Sequence, residues 1–314
     1  MRWEGRRQSQ NVEDRRGGGG SPFPRQARFP FPTGRGSGRS GGRIGGPSLI
    51  LIVLVALGLW VFAGINPLQL LDMVTRGDGT ITTDGGQPQG SSAGGSAGAG
   101  LNDENKAFLS VVLAETEDTW GNIFKAEGAD YPEPTLVLYS GYSNTACGFS
   151  SAAVGPFYCP NDRKVYIDTA FFNTLSERFG APGDFAEAYV LAHEIGHHIQ
   201  NLTGVLARYH RDRQSMSEEQ GNQMSIRVEL QADCYAGIWA NRADRSGIVE
   251  DGDIEEAIRA ASAVGDDTLQ RRTQGYVVPE SFNHGTAEQR ARWFRVGYQS
   301  GNPDDCDTFN TARL

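Results

Sequence analysis

The sequence predicts an α+β fold, a helical domain with a small antiparallel sheet, preceded by one transmembrane helix. Three observations support this prediction. Apolar residues recur at helical spacing in several segments after residue 101, short strand-like runs lie between residues 134 and 168, and an uncharged apolar run covers residues 47–67. The 314-residue chain therefore divides into four parts, with boundaries at 1–46, 47–67, 68–100 and 101–314.

Residues 1–46 form a basic tail that is rich in arginine, glycine and proline and nearly free of aliphatic side chains. The tail holds ten arginines and three acidic residues, whereas the whole chain carries a net charge of −9. Such a composition cannot bury enough apolar surface to offset the entropy of the chain, so we expect the tail to be disordered. An RNA-binding arm of the Arg/Gly type is the alternative, although the acidic net charge argues against nucleic acid as the main partner.

The run over residues 47–67 contains no charged residue. At about 1.5 Å per residue it covers roughly 30 Å, which is the hydrocarbon thickness of a bilayer. It is longer than the apolar core of a signal peptide, and the tail before it is far longer than a signal n-region. We therefore expect a retained anchor, with the arginines on the cytoplasmic side and the chain after residue 70 across the membrane. Residues 68–100, rich in glycine and serine, then serve as a flexible linker.

The folded domain, residues 101–314, is expected to open with an amphipathic helix over residues 101–125. Three strand-like runs follow, and the second and third of them read as a hairpin; they cover residues 134–139, 155–159 and 163–168. A short helix over residues 171–179 leads to a longer one. This helix is expected to start at Asp184, with Glu187 completing a capping box, and to stop near Gly204.

The longer helix contains an H-E-x-x-H motif at His193, Glu194 and His197. A spacing of four residues places both imidazoles on one helix face, where they can bind one metal ion. Glu194 lies beside that ion and can take a proton from the attacking water and pass it to a leaving amine. A helix with two surface histidines is the alternative. Gly196 costs about 1 kcal/mol in a helix relative to alanine, so we expect a second helix to pack closely there. His198 points away from this face and receives no role.

A catalytic zinc site usually has three protein ligands and one open position. Glu229 is our candidate for the third ligand, because Glu229 and Asp233 are four residues apart on one expected helix and face the same way. Asp233 can then accept a hydrogen bond from the free ring nitrogen of a ligand histidine, which holds that ring in place. Two acids on a solvated helix face are the alternative.

The chain resembles the membrane-anchored bacterial neutral zinc metallopeptidases, a family in the wider gluzincin group. Seven segments carry the resemblance over nearly the whole length, namely residues 1–7, 11–16, 155–160, 165–168, 188–200, 229–234 and 284–294. The resemblance implies a zincin-like helical metalloprotease domain in which Zn2+ is bound by His193, His197 and Glu229, with Glu194 as the general base. It also implies a single-pass protein of the bacterial inner membrane, with a cytoplasmic N-terminus and a periplasmic catalytic domain that cleaves polypeptides.

Hydrolysis of a peptide bond needs a further donor for the tetrahedral oxyanion. His284 is our candidate, since it lies in an expected turn before a helix that starts near Thr286; a histidine that caps this helix or bonds the backbone fits equally well. Arg290 can pair either with Asp233 or with the oxyanion. We expect the substrate to add as a strand to an exposed sheet edge, formed by Val165, Tyr166 and Ile167, unless these residues form an ordinary paired strand.

The four cysteines show no C-x-x-C spacing, which argues against a cysteine zinc site. Outside the cytoplasm disulfides are allowed. Of the three connectivities, we prefer Cys147 with Cys159 and Cys234 with Cys306; free buried thiols are the alternative.

Two other functional classes fit the sequence. A membrane-tethered binding or chaperone-like protein would keep the fold without turnover, but it has little reason to retain the base Glu194 together with all three ligands. A zinc hydrolase of non-peptide bonds, such as an amidase of cell-wall material, would be favoured by a deep closed pocket, whereas an open groove would favour peptides.

Overall fold

Helices make up most of the residues that the structure describes, and two small sheets accompany them. The computed structural model describes residues 1–16, 95–151 and 155–314, without the side chains of residues 95–103, 149 and 151. The α-helices in these ranges are α1 Gly95–Ala126, α2 Ala170–Glu177, α3 Asp184–Leu202, α4 Val205–Arg213, α5 Glu218–Arg245, α6 Asp253–Ala263, α7 Asp266–Gln274 and α8 Ala287–Ser300. The strands are β1 Val12–Asp14, β2 Thr135–Tyr139, β3 Tyr142–Thr145, β4 Gly148–Ser151, β5 Phe157–Cys159 and β6 Lys164–Asp168. The predicted helices and strands lie close to these bounds.

The main sheet has the strand order β1-β2-β6-β5. β1 and β2 pair in parallel, β2 and β6 also pair in parallel, and only β5 is antiparallel to its neighbour β6. The prediction of an antiparallel sheet is therefore wrong for most of its strands. A tight hairpin joins β5 to β6, as predicted. Between β2 and β6 the chain passes through the separate β3–β4 hairpin and through β5. This long connection lets β6 return in the same direction as β2.

Val165, Tyr166 and Ile167 do not form a sheet edge, which corrects the predicted substrate-binding strand. β6 has a partner strand on each side, and the three residues are at most 1% exposed. Their backbone groups are used within the sheet and cannot receive a substrate strand. The outer strand on this side is β5, which has no second neighbour among the described strands.

The first 16 residues are ordered, so the prediction of disorder over residues 1–46 is wrong for them. β1 adds to the sheet beside β2, and the backbone N–H groups of Arg2 and Ser9 donate to carbonyls of Ile248 and Ser110. Trp3 packs edge-on against Phe108 of α1, with ring centroids 5.6 Å apart. The composition of a 46-residue tail averages over this segment and hides a strand that is stabilised by pairing with a distant one.

Several charges of this N-terminal segment have specific acidic partners in the domain. Arg6 binds Glu115 at 2.9 Å, and Arg7 binds Glu117 at 3.1 Å. The α-ammonium group of Met1 lies 2.9 Å from Asp184. Asp184 is the first residue of α3 and not its cap, because Gly183 holds the cap position, and no side chain caps the helix there. The predicted capping box is absent because the Asp184 carboxylate binds Met1 instead.

The expected membrane helix, residues 47–67, lies outside the described residues, as does the linker up to residue 94. Within residues 1–16, 95–151 and 155–314, no helix combines the length and the apolar character needed to cross a membrane. Helix α1 begins at Gly95, six residues before the predicted start of the domain.

Close helix contacts through glycines set the positions of α3, α5 and α8. A Cβ atom on Gly196 of α3 would lie 2.9 Å from the Cα atom and the carbonyl oxygen of Ala232 on α5. This confirms the predicted close approach at Gly196. Glycines also meet where α5 crosses α8, since a Cβ atom on Gly297 would lie 1.9 Å from the carbonyl oxygen of Cys234. The central helix α5 is thus held between the motif helix α3 and the helix that carries Arg290.

Both preferred disulfides are present. Cys147, in the turn between β3 and β4, is bonded to Cys159 at the end of β5. Cys234 of α5 is bonded to Cys306, which ends a short 3₁₀ helix, Pro303–Cys306. The second bond fastens the C-terminal segment to the helix that carries Glu229 and Asp233.

Candidate metal centre

His193 and His197 of α3 converge with Glu229 of α5. The Nε2 atoms of the two histidines lie 3.3 Å and 3.6 Å from the two carboxylate oxygens of Glu229. Tetrahedral zinc, bound at roughly 2.0–2.1 Å, requires its ligand atoms to be about 3.3 Å apart. Two imidazoles and one carboxylate at this separation fit a zinc ion, and they leave the fourth position free for water or substrate.

The approach of α5 to α3 at Gly196 sets the distance between Glu229 and the histidines. We predict that Gly196→Ala lowers zinc affinity about tenfold or more, because the new methyl group would contact backbone atoms and force the two helices apart. Zinc affinity can be measured by competition with a chelator. The matched control is Gly121→Ala, in helix α1, where a Cβ atom meets nothing within 4 Å. Equal zinc affinity for the two variants would contradict the prediction.

Asp233 holds His193 from behind the centre. Its Oδ1 atom lies 2.8 Å from Nδ1 of His193, and because a carboxylate only accepts, Nδ1 carries the proton and Nε2 faces Glu229. Tyr189 also donates to Oδ1, at 2.6 Å. The predicted hydrogen bond from a motif histidine to Asp233 is thus present, and the histidine is His193.

Arg290 pairs with Asp233 and not with a site for the oxyanion, which decides between the two predicted roles. Its Nε and Nη2 atoms donate to the two carboxylate oxygens at 2.8 Å and 2.9 Å. Burial would raise the pKa of Asp233, but the charges of Arg290 and His193 outweigh it and lower this pKa to about 2. Burial likewise lowers the pKa of His193, yet the Asp233 carboxylate outweighs it and raises this pKa to about 9 in the metal-free protein.

Glu194 lines a cleft beside the three candidate ligands and is 7% exposed. Burial raises the pKa of its carboxyl group, while the nearby charges of His197 and His193 oppose the rise. A carboxylate whose pKa is raised in this way is better suited to accept and then release a proton near neutral pH.

His284 is oriented by Asp266 and does not cap α8. Its Nδ1 atom lies 3.0 Å from Oδ1 of Asp266, and the other carboxylate oxygen accepts three successive backbone N–H groups, those of Asn283, His284 and Gly285. The cap of α8 is Thr286, which forms a capping box with Gln289. The ring of His284 therefore lines the cleft with Nδ1 engaged and Nε2 available to a substrate.

The cleft has a volume of about 1090 Å³ and is partly open to solvent. Phe157 and Tyr158 of strand β5 form part of one wall, and His284 and Arg290 lie among the lining residues together with the three candidate ligands. Val165, Tyr166 and Ile167 are absent from its lining. The strand that faces the cleft is β5, next to the strand that we predicted.

His198, to which the sequence assigned no role, connects β5 to the motif helix. Its Nε2 atom lies 2.7 Å from the carbonyl oxygen of Pro132, so Nε2 carries the proton and Nδ1 accepts from the hydroxyl group of Tyr158 at 2.9 Å. Burial lowers the pKa of His198 to about 4, which keeps the ring neutral. This contact fixes the edge strand beside the cleft.

Three further residues that contact the histidines of the site were not predicted from the sequence. Tyr189 and Gln200 lie four residues before His193 and three residues after His197, so helical spacing contained a signal for both. Asp266 had no such signal, because it lies 18 residues before His284, at the start of α7, whereas His284 lies in the loop before α8.

A second acidic group, Asp184, Asp253 and Glu256, also brings its oxygens within 4.8 Å of one another. The α-ammonium group of Met1 lies 2.9 Å from Asp184 and 3.4 Å from Asp253. This group already has a cationic partner from the protein itself.

Comparison with known proteins places the whole chain in one family. The family described as "Putative neutral zinc metallopeptidase" matches residues 1–309. "Uncharacterized protein YpfJ" of Escherichia coli K12 is 43% identical over 312 residues, which cover 99% of this chain and all of that protein. "Uncharacterized protein Rv2575" of Mycobacterium tuberculosis is 44% identical over 218 residues, 66% of this chain and 73% of that protein. No solved structure matches. The chain therefore belongs to the family described as "Putative neutral zinc metallopeptidase".

Proposed function

We propose that the protein is a zinc metalloendopeptidase, with His193, His197 and Glu229 as ligands of Zn2+. The observation that carries the proposal is the convergence of these three side chains beside Glu194 in an open cleft. Bound zinc would supply a Lewis acid that makes water more acidic and polarises the scissile carbonyl group. The other steps depend on side chains of the protein.

Glu194 acts as the general base and then as the general acid. Its carboxylate takes a proton from the attacking water and later delivers a proton to the leaving amine. The raised pKa of Glu194 supports both directions of transfer.

His284 donates a hydrogen bond from Nε2 to the oxyanion that forms at the attacked carbonyl. Burial lowers the pKa of His284, but the bond to Asp266 and the charge of Glu229 outweigh it and raise the pKa, which favours a ring that carries a proton on each nitrogen. Asp266 holds the ring through Nδ1, so the donor is oriented before the substrate arrives.

The substrate adds as an extended strand to the edge of β5 that has no partner among the described strands. This strand has β6 on one side and lines the cleft with Phe157 and Tyr158. Backbone hydrogen bonds to a sheet edge recognise an extended peptide with little dependence on its sequence. The open cleft favours a polypeptide over the compact substrate of a cell-wall amidase, which would fit a closed pocket better.

The test is the zinc content of the purified protein together with its hydrolysis of an unfolded protein such as casein. The chain must keep residues 1–16, because they form part of the main sheet. About one zinc per chain and cleavage of casein would support the proposal. Zinc without cleavage would favour the binding class, and the absence of zinc would overturn the proposed site.

We predict that His284→Ala lowers kcat about 10²–10³-fold, as expected when one oxyanion donor is removed, with little change in zinc content. Asp266→Asn should have a smaller effect in the same direction, because it loosens the ring without removing it. The matched control is His210→Ala, which removes another histidine that lines the cleft. Steady-state kinetics on one peptide would measure all three, and equal kcat values for the His284 and His210 variants would contradict the assignment.

We further propose that the domain works outside the cytoplasm and that residues 1–16 lie on the same side of the membrane as the domain. The two disulfides support an oxidising compartment. A single membrane crossing between residues 16 and 95 would place β1 and β2 on opposite faces of the bilayer, where they cannot pair. This revises the expected cytoplasmic N-terminus, while the apolar run over residues 47–67 remains our candidate for membrane attachment.

Two single-cysteine variants of the full chain, Gln8→Cys and Gln214→Cys, test this topology. Both positions are exposed, one in the N-terminal segment and one at the end of α4, and the native cysteines are bonded in pairs. We expect a membrane-impermeant maleimide to label both variants in intact spheroplasts. Labelling of only one before lysis would place the two segments on opposite sides. Labelling of both only after lysis would place the domain in the cytoplasm.

A further inference from the structure

We infer that Gln200 and Gln231 are positioning residues for His197, acting through a chain of hydrogen bonds that ends at the Cys234–Cys306 disulfide. The inference rests on the proposed metal site and goes beyond it, because neither glutamine touches the candidate zinc position. Both side chains are buried, with Gln200 fully enclosed and Gln231 7% exposed.

The chain of hydrogen bonds begins at Nδ1 of His197, the ring nitrogen that faces away from Glu229. Nδ1 of His197 lies 2.9 Å from the amide oxygen of Gln200. The amide nitrogen of Gln200 donates to two oxygens, the carbonyl of Val228 at 2.7 Å and the side-chain oxygen of Gln231 at 3.1 Å. The amide nitrogen of Gln231 then donates to the carbonyl of Cys306 at 3.1 Å.

The hydrogen bonds fix the orientation of the Gln200 amide group. Because both N–H groups of Gln200 donate to oxygens on α5, its amide oxygen must face His197. An oxygen at that position accepts only, so Nδ1 of His197 carries the proton and the lone pair of Nε2 faces Glu229. The chain therefore selects the tautomer of His197 that can bind a metal ion.

The far end of the chain is anchored covalently. Cys306 is bonded to Cys234, which follows Asp233 on α5, and both cysteines are fully buried. The disulfide thus holds the last acceptor of the chain to the helix that supplies Glu229. The two histidines are supported differently: a carboxylate holds His193, whereas a neutral amide holds His197, so the second support adds no negative charge to the site.

The experiment measures zinc affinity by chelator competition for Gln200→Met, Gln231→Met and the double variant, each beside the unfolding midpoint of its metal-free form. Gln200→Met should weaken zinc binding by about 10–100-fold, as for other residues that orient a ligand. Gln231→Met should weaken it by a smaller but measurable factor, about three- to tenfold, because it acts through Gln200. The double variant should bind zinc as tightly as Gln200→Met alone. Gln231 acts on His197 only through Gln200, so its loss has no further effect once Gln200 is replaced. Gln299→Met, at an exposed position of α8, is the matched control.

Two results would overturn the inference while leaving the proposed function in place. One is normal zinc affinity in Gln231→Met with a lowered unfolding midpoint, which would indicate a structural role only. The other is a double variant whose loss is the product of the two single losses, which would show that the glutamines act separately. Wild-type protein that binds no zinc would instead overturn the proposed function and, with it, this role for the glutamines.

Discussion

Glu194→Gln should lower the rate of peptide hydrolysis by about 10⁴-fold while the protein keeps its zinc. The substitution preserves the size of the side chain and leaves His193, His197 and Glu229 unchanged, so only the group that accepts the proton is lost. Removing a positioned general acid or base costs typically 10²–10⁴-fold in rate. Because Glu194 is assigned both proton transfers, we expect the loss to lie at the upper end of that range.

Zinc content and the rate of casein cleavage, measured on the same preparation, check this prediction. Glu187→Gln is the matched control, because Glu187 is also a partly buried acid of α3 but does not line the cleft. It should retain activity. A Glu194→Gln protein that binds zinc and cleaves at the wild-type rate would remove Glu194 from the mechanism.

Asp233→Asn should destabilise the metal-free protein by about 3–5 kcal/mol, which is the usual cost of removing one partner from a buried ion pair. Asp233 is fully buried, and Arg290 is 4% exposed, so the guanidinium group would keep its charge without a carboxylate to balance it. The same substitution removes the acceptor that orients His193, and zinc affinity should fall about 10–100-fold.

Denaturant unfolding of the metal-free protein measures the first effect, and chelator competition measures the second. Asp212→Asn is the control for stability, because Asp212 faces Arg211 in an exposed pair worth at most about 1 kcal/mol. The double variant Asp233→Asn/Arg290→Met should recover part of the lost stability, since no charge is then left alone, but it should not recover zinc affinity. Full stability in Asp233→Asn would contradict this account of the pair.

The sequence was most informative where the relevant geometry is local. His193, Glu194 and His197, and likewise Glu229 and Asp233, are related by one helical turn, so the period of the helix alone places them on common faces. The close approach at Gly196 also followed from a local signal, a glycine inside a helix that has no other reason to contain one.

The predictions from the sequence were wrong where the structure depends on contacts between distant segments. The N-terminal residues looked disordered by composition, yet β1 is stabilised by a strand more than 100 residues away, and Arg6 and Arg7 by acids of α1. β5, and not β6, is the outer strand on this side of the sheet. β6 lies between β2 and β5 and pairs with both of them.

The sequence by itself thus determined the motif helix, the third candidate ligand and the role of Asp233 in holding a histidine of the motif. All three depend on helical periodicity. Only the tertiary structure decided the partner of Arg290, the support of His284 by Asp266, the glutamine chain behind His197 and the strand that faces the cleft. Each of these joins residues from separate elements, and the packing of the elements, which no local spacing encodes, selects which of them come within hydrogen-bonding distance.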